Sequence, residues 1–198
     1  ITTTYLYKPD NCHFAPTPTT TTYAQAGTTT QTPIHGLTVA TDCSGMEAPI
    51  QALRNLKIRY RHIFSSDNDP MVQKTIASNF HPEHQYGDIT TRDNSAVPSA
   101  DIYVAGFPCQ PFSTAGKQQG FYDSKGRGQI IHYLVDYISL HRPKVFILEN
   151  VKGFAQLNNG SCLRRVVRAL EAIKDVELKK LRYGHDEPAY EIHHTILN

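Results

Sequence analysis

No run of this chain is apolar for long enough to cross a membrane, which argues for a soluble protein. Its four cysteines, at 12, 43, 109 and 162, include no Cys-x-x-Cys pair and follow no signal peptide. A reduced intracellular compartment is therefore expected in place of a disulfide scaffold. Charge of one sign is lacking too: 20 basic against 18 acidic residues leave +2, which by itself neither supports nor excludes a nucleic-acid partner. The ten histidines show no metal-ligand spacing, so no metal is expected. There is also no initiating methionine, and with Ile1 at one end and Asn198 closing an apolar alternation at the other, both ends read as cut from a larger protein.

With 198 residues, 39% of them hydrophobic, the chain can bury one sizeable core. Residues 1–36 stand apart. They are dominated by threonine and broken by Pro9, Pro16, Pro18 and Pro33, with too little apolar surface to offset their ordering entropy. They read as a flexible lead, although Tyr5, Leu6 and Tyr7 in a Thr-rich setting also suit a strand. Residues 37–198 are expected to form the folded domain.

From Leu37 the pattern alternates strand and helix, the mark of a doubly wound α/β fold with a mostly parallel sheet. Leu37–Thr41 is the first strand, followed by a turn at Asp42-Cys43-Ser44-Gly45 and a helix over 46–56 with Ala48, Ala52 and Leu56 on one face. Tyr60–Ser65 is the second, ending in Ser66-Asp67-Asn68-Asp69-Pro70 and a helix to Phe80. Asp69 and Pro70 are suited to N-cap and first-turn positions. Asp67, a carboxylate at the end of the second strand, is placed to bond the ribose hydroxyls of an adenosine cofactor. Gly87-Asp88-Ile89-Thr90 marks a third strand end. Ile131, Leu134, Val135 and Ile138 form the core stripe of a helix, Val145–Leu148 is a fifth strand, Leu163–Ile173 an amphipathic helix and Tyr190–Leu197 a last strand.

The most informative stretch is Asp101–Asp123. Ile102–Ala105 reads as a buried strand closed by Gly106 and then by Pro108 and Pro111 around Cys109. An isolated cysteine is ordinarily a small buried hydrophobe. Here two prolines fix φ on either side, so the thiol sits in a stiff elbow at a strand end, where open α/β sheets bind ligands. The small, polar segment after it, from Ser113 to Phe121, suits a lid. Glu149, an acid at the end of the neighbouring buried strand, would be costly to desolvate if it only filled space.

Gly106-Phe107-Pro108-Cys109-Gln110-Pro111-Phe112-Ser113 resembles the nucleophile motif of the cytosine-C5 DNA methyltransferases, and Leu148-Glu149-Asn150-Val151 resembles their second most specific motif. The resemblance extends over residues 37–198. It implies a truncated class I S-adenosylmethionine-dependent methyltransferase fold of Rossmann-like type, in which Cys43, Ser44, Gly45 and Met46 form an altered first cofactor motif. Thr41 stands in the place of the family's acid, Cys43 in that of its Phe and Glu47 in that of its Gly. By the same resemblance Asn68 lies against the adenine, Asp88 receives its amino group, and Ile89, Phe107, Pro108 and Ile130 complete the cofactor site. Gln110, Ser113, Asn150 and Val151 would contact the substrate. Neither a Gln-x-Arg-x-Arg motif nor a target-recognition region follows, so the resemblance implies an incomplete site in this stretch alone.

C5 of cytosine is a poor nucleophile, so a group must first add to C6, and a thiolate does this well. The resemblance therefore implies methyl transfer from S-adenosylmethionine to C5 of a cytosine flipped out of double-stranded DNA, with Cys109 adding to C6 and Glu149 at N3. A monomer is expected, in the nucleus of a eukaryote or the cytoplasm or nucleoid of a bacterium or virus. Two alternatives stay open: a tRNA cytosine-5 methyltransferase, and a catalytically silent relative that binds DNA or a partner.

Overall fold

The computed structural model describes residues 2–7, 36–113, 116, 118–174 and 188–197. Seven strands form one sheet: β1 (Thr2–Tyr7), β2 (Leu37–Asp42), β3 (Tyr60–Ser66), β4 (His84–Tyr86), β5 (Ile102–Gly106), β6 (Val145–Asn150) and β7 (Glu191–Ile196). Their order is β4-β3-β2-β5-β6-β1-β7. Neighbours from β4 through β6 are parallel, whereas β1 runs antiparallel to both β6 and β7. The helices are α1 (Ala48–Asn55), α2 (Pro70–Asn79), α3 (Ile130–His141) and α4 (Lys152–Glu171). The doubly wound reading thus holds.

The chain winds outward from β2 through β3 to β4, then returns to lay β5 on the other side of β2. Consecutive connections diverge between β2 and β5, and a crevice opens beyond their carboxyl ends. The core behind it is aromatic. Phe64, Tyr103, Tyr137 and Phe146 are fully buried, with the Tyr103 and Tyr137 rings 4.4 Å apart. Along α3 the buried positions are Ile131, Leu134, Tyr137 and Ile138, so Tyr137 takes the place expected for Val135, which is half-buried.

Two expectations need correction. Thr2–Tyr7 is not a flexible lead but a strand registered against β6 from Thr2↔Asn150 to Tyr7↔Val145; residues 8–35 lie outside the described residues. Counting only a segment's own apolar surface misses the backbone partners that the edge of β6 offers a β-branched tract. The buried face of α1 is not Ala48, Ala52 and Leu56, which are exposed, but Ile50, which is inaccessible. The larger aliphatic side chain gains more from burial than alanines do, and tertiary contact sets the face. The amphipathic helix expected over Leu163–Ile173 is the second part of α4, set off from its first turns by non-helical backbone at Leu157–Gly160, with Leu163, Val166 and Leu170 buried.

Candidate active site

At the end of β2 the backbone enters the left-handed region at alternate residues, Cys43, Gly45 and Glu47, with φ of 50°, 52° and 54°. This turn is laced to the end of β3. The Ser44 amide donates to Ser66 O at 3.0 Å, the Ser66 amide donates to Ser44 Oγ at 3.0 Å, and the Gly45 amide donates to Asp67 Oδ2 at 3.0 Å. Asp67 Oδ1 accepts from the Asp69 amide, so Asp67 braces its own turn as well as facing the crevice. Asp69 caps α2, accepting from the Met71 amide at 2.7 Å with Pro70 in the first turn, as its sequence suggests. Asp88 likewise caps the Ile89–Thr91 turn through Oδ1.

The strand ends enclose a cleft of about 300 Å³, lined by Cys43, Asp67, Asn68, Asp88, Ile89, Pro108, Gln110 and Ile130 together with Ser66, Gly87, Gly106 and Arg127. Carboxylates at two strand ends and aliphatic walls from Ile89, Pro108 and Ile130 suit a ligand that joins a diol to a flat apolar ring. Ser44 and Gly45 are half-buried in the laced turn. Met46 is 74% exposed and Phe107 is buried in the core, and neither lines the cleft. Cys43 keeps its proton. Burial, then the carboxylates of Asp42 and Asp67, push its thiol far above the usual range.

The turn after β5 carries Cys109 between Pro108 and Gln110. Both of these line the cleft, and the thiol-bearing residue between them does not line it and is half-buried. The Cys109 carbonyl accepts from the amides of Phe112 and Ser113, each at 2.9 Å, which closes the turn. Phe107, Phe112 and Phe154 clamp it from behind by edge-to-face contacts, with centroids 4.9 to 6.1 Å apart. Asn150, expected at the substrate, is 2% exposed and committed to the same turn. Its Nδ2 donates to Phe107 O at 3.0 Å and its Oδ1 accepts from the Val151 amide. Val151 is the half-buried residue that precedes α4.

Gly153 marks how tightly α4 abuts this turn, because a Cβ there would collide with the Phe112 carbonyl oxygen. Gly153→Ala is expected to fold but to displace the Cys109 turn. Stability should fall by about 1–3 kcal/mol, as for other overpacked sites. Melting curves check the loss.

Glu149 is the register partner of Gly106, and its Oε2 lies 3.4 Å from where a Cβ of Gly106 would stand. The carboxyl therefore leans over the start of the Cys109 turn from the adjacent strand. It is half-buried, and that burial raises its pKa. A carboxyl so placed can hold or share a proton.

Beyond the turn, the expected lid includes Thr114, Ala115 and Lys117, which lie outside the described residues. Its far end is anchored by Asp123 and Arg127, whose guanidinium makes two bonds of 3.0 and 2.7 Å to the carboxylate. The side-chain bond to Arg127 holds Asp123 down to about 2, against an ordinary carboxylate near 3.9. A depressed acid stabilises the fold above its unfolded pKa and loses that contribution as pH falls toward its folded one. Amide exchange across residues 120–127 should therefore be unchanged down to about pH 4 and accelerate between about pH 4 and 2. Arg127 lines the cleft although no role was expected for it, and the only signal was its i,i+4 spacing from Asp123.

The model of the C-5 cytosine-specific DNA methylase family matches residues 41–174, more than half of the chain. The chain belongs to this family. The matched residues take in every strand end of the cleft, and Cys109 and Glu149 as well. Among relatives, this methylase-family chain is 43% identical over 129 residues to the type II methyltransferase M.HpaII of Haemophilus parainfluenzae, covering 64% of this chain and 33% of that protein. It is 41% identical over 123 residues to M.HgiCI of Herpetosiphon aurantiacus, covering 62% and 28%. The chain thus spans about a third of the length of these curated relatives. A solved structure, the S. pombe Dnmt2 methyltransferase, aligns with a TM-score of 0.51 at 20% identity, over 68% of this chain and 41% of the other. At that identity the likeness concerns the fold.

Proposed function

We propose that this methylase-family chain carries the cofactor cleft and nucleophile of a DNA cytosine-5 methyltransferase. The observation that supports this most is the meeting of two groups at neighbouring strand ends. Cys109 stands in a rigid turn three residues past Gly106, and the Glu149 carboxyl leans over Gly106 itself.

The cleft residues fit S-adenosylmethionine. Asp67 would take the ribose hydroxyls, and Asp88 the adenine amino group, with Asn68, Ile89, Pro108 and Ile130 around the ring and Ser44 and Gly45 forming the turn beneath. Bound there, S-adenosylmethionine supplies an electrophilic methyl group on a sulfonium.

Cys109 adds as a thiolate to C6 of the cytosine, and the C5=C6 electron pair becomes available at C5. Glu149, whose burial raises its pKa, would share a proton with N3 and so offset the charge that addition spreads into the ring. Once that C5 electron pair has bonded the methyl group, loss of the C5 proton restores the double bond and expels the Cys109 sulfur. Because the turn cannot reach a stacked base, the cytosine must leave the duplex, with Gln110 and Ser113 at the mouth of the opening. The protein acts on double-stranded DNA as a monomer.

Transfer of labelled methyl groups to DNA and to tRNA, measured in parallel with the intact protein, tests the proposal. Label in DNA alone is the expected result. Label in tRNA alone would replace the substrate, and label in neither would leave a silent binding module.

A further inference from the structure

Glu47 is fully buried, yet its carboxylate does not cap the helix it precedes and one of its oxygens has no partner. Its backbone is also in the left-handed region, where glycine would sit without strain. A side chain kept in a costly conformation, with a charge-bearing group in the core, is retained for what it holds.

Glu47 Oε1 accepts from Thr41 Oγ at 2.7 Å and from Ser65 Oγ, with His62 Nε2 2.9 Å behind that serine. Thr41 has only one hydroxyl proton, and the carboxylate takes it. Ser44 Oγ lies 2.8 Å from Thr41 Oγ, and its one proton faces three acceptors, Thr41 Oγ, Thr41 O at 3.2 Å and Ser66 O at 3.1 Å, so any bond between the two hydroxyls has Ser44 as its donor. Ser44 Oγ also accepts from the Ser66 amide at 3.0 Å, and the neighbouring Gly45 amide reaches Asp67. One buried carboxylate thus joins the ends of β2 and β3, through Thr41 and Ser65, directly beneath the turn that bonds Asp67.

We infer that Glu47 is a positioning residue for the methyl-donor turn: acting from below through Thr41 and Ser44, it holds the turn and Asp67 in the geometry that receives the donor. This rests on the reading of the cleft as the S-adenosylmethionine site. It also explains how a turn with glutamate in place of glycine stays ordered.

The test is binding of S-adenosylhomocysteine by calorimetry, with methyl-transfer kinetics alongside, well below each variant's melting temperature. Glu47→Ala should bind about tenfold more weakly, the equivalent of about 1.4 kcal/mol for one lost hydrogen bond to a charged group. KM for the donor should rise with kcat unchanged. Glu47→Gln keeps an acceptor oxygen and should recover most of the loss. Should Glu47→Ala not fold, Thr41→Val breaks the same relay at its next member and is expected to weaken binding comparably. A wild-type protein that binds while the folded variants bind equally well overturns the inference alone. A wild-type protein that does not bind overturns the reading of the cleft, and this inference with it.

Discussion

Cys109→Ser is expected to abolish methyl transfer, lowering turnover by about four orders of magnitude or more, as loss of a covalent nucleophile does elsewhere. The fold should be untouched, because residue 109 is half-buried and its hydrogen bonds in the turn run through its backbone carbonyl. Serine fills nearly the same space but is a far poorer nucleophile at neutral pH than a thiolate. The decisive readout is covalent. Wild-type protein should form a stable adduct with DNA carrying 5-fluorocytosine, since fluorine cannot leave C5 as a proton does, and Cys109→Ser should form none. An adduct that survives the substitution would put the nucleophile elsewhere. Cys43, the thiol that lines the cleft, is a poor substitute, because burial and the carboxylates of Asp42, Asp67 and Asp88 keep it protonated.

Arg92→Met should produce the largest loss of stability, about 3–5 kcal/mol, the range for removing one partner of a buried ion pair. Asp42 is inaccessible, and Arg92 grips it with two bonds of 2.7 Å while its guanidinium lies over the rings of Phe64 and Tyr86. Without the arginine the carboxylate keeps, among the described residues, only the Tyr103 hydroxyl at 2.5 Å. For a chain of this size the melting temperature should drop by about 10 °C. The double variant Asp42→Leu with Arg92→Met should recover much of that, because no buried charge is then left unpaired. A single variant that melts like the wild type would show that the pair contributes little. The consequence reaches function, since Arg92 follows the Asp88–Ile89 turn and ties that wall of the cleft to the end of β2.

The strand ends that line the cleft could be located along the chain because each is announced locally. Asp67 stands just past a predicted strand, Asp88 follows a glycine, and Cys109 is framed by prolines. The groups that hold these ends in place carry no such announcement. Arg92 finds Asp42 across fifty residues, and Glu47 meets Ser65 across eighteen. Their roles depend on which strands lie side by side, and no periodicity encodes that. Asn150 is the mirror case. Its motif suggests a contact with substrate, whereas packing commits its side chain to the carbonyl of Phe107.

By itself, the order of residues determined the alternation of strands and helices, the rigid elbow at Cys109 and the family to which the chain belongs, all properties of segments shorter than about fifteen residues. Only the folded molecule decided that β1 joins the sheet, that Ile50 is the buried face of α1, and that Glu149 leans over Gly106. Those outcomes turn on hydrogen bonds and burial between segments far apart in the chain, whose free energy exists only once the sheet has brought them together.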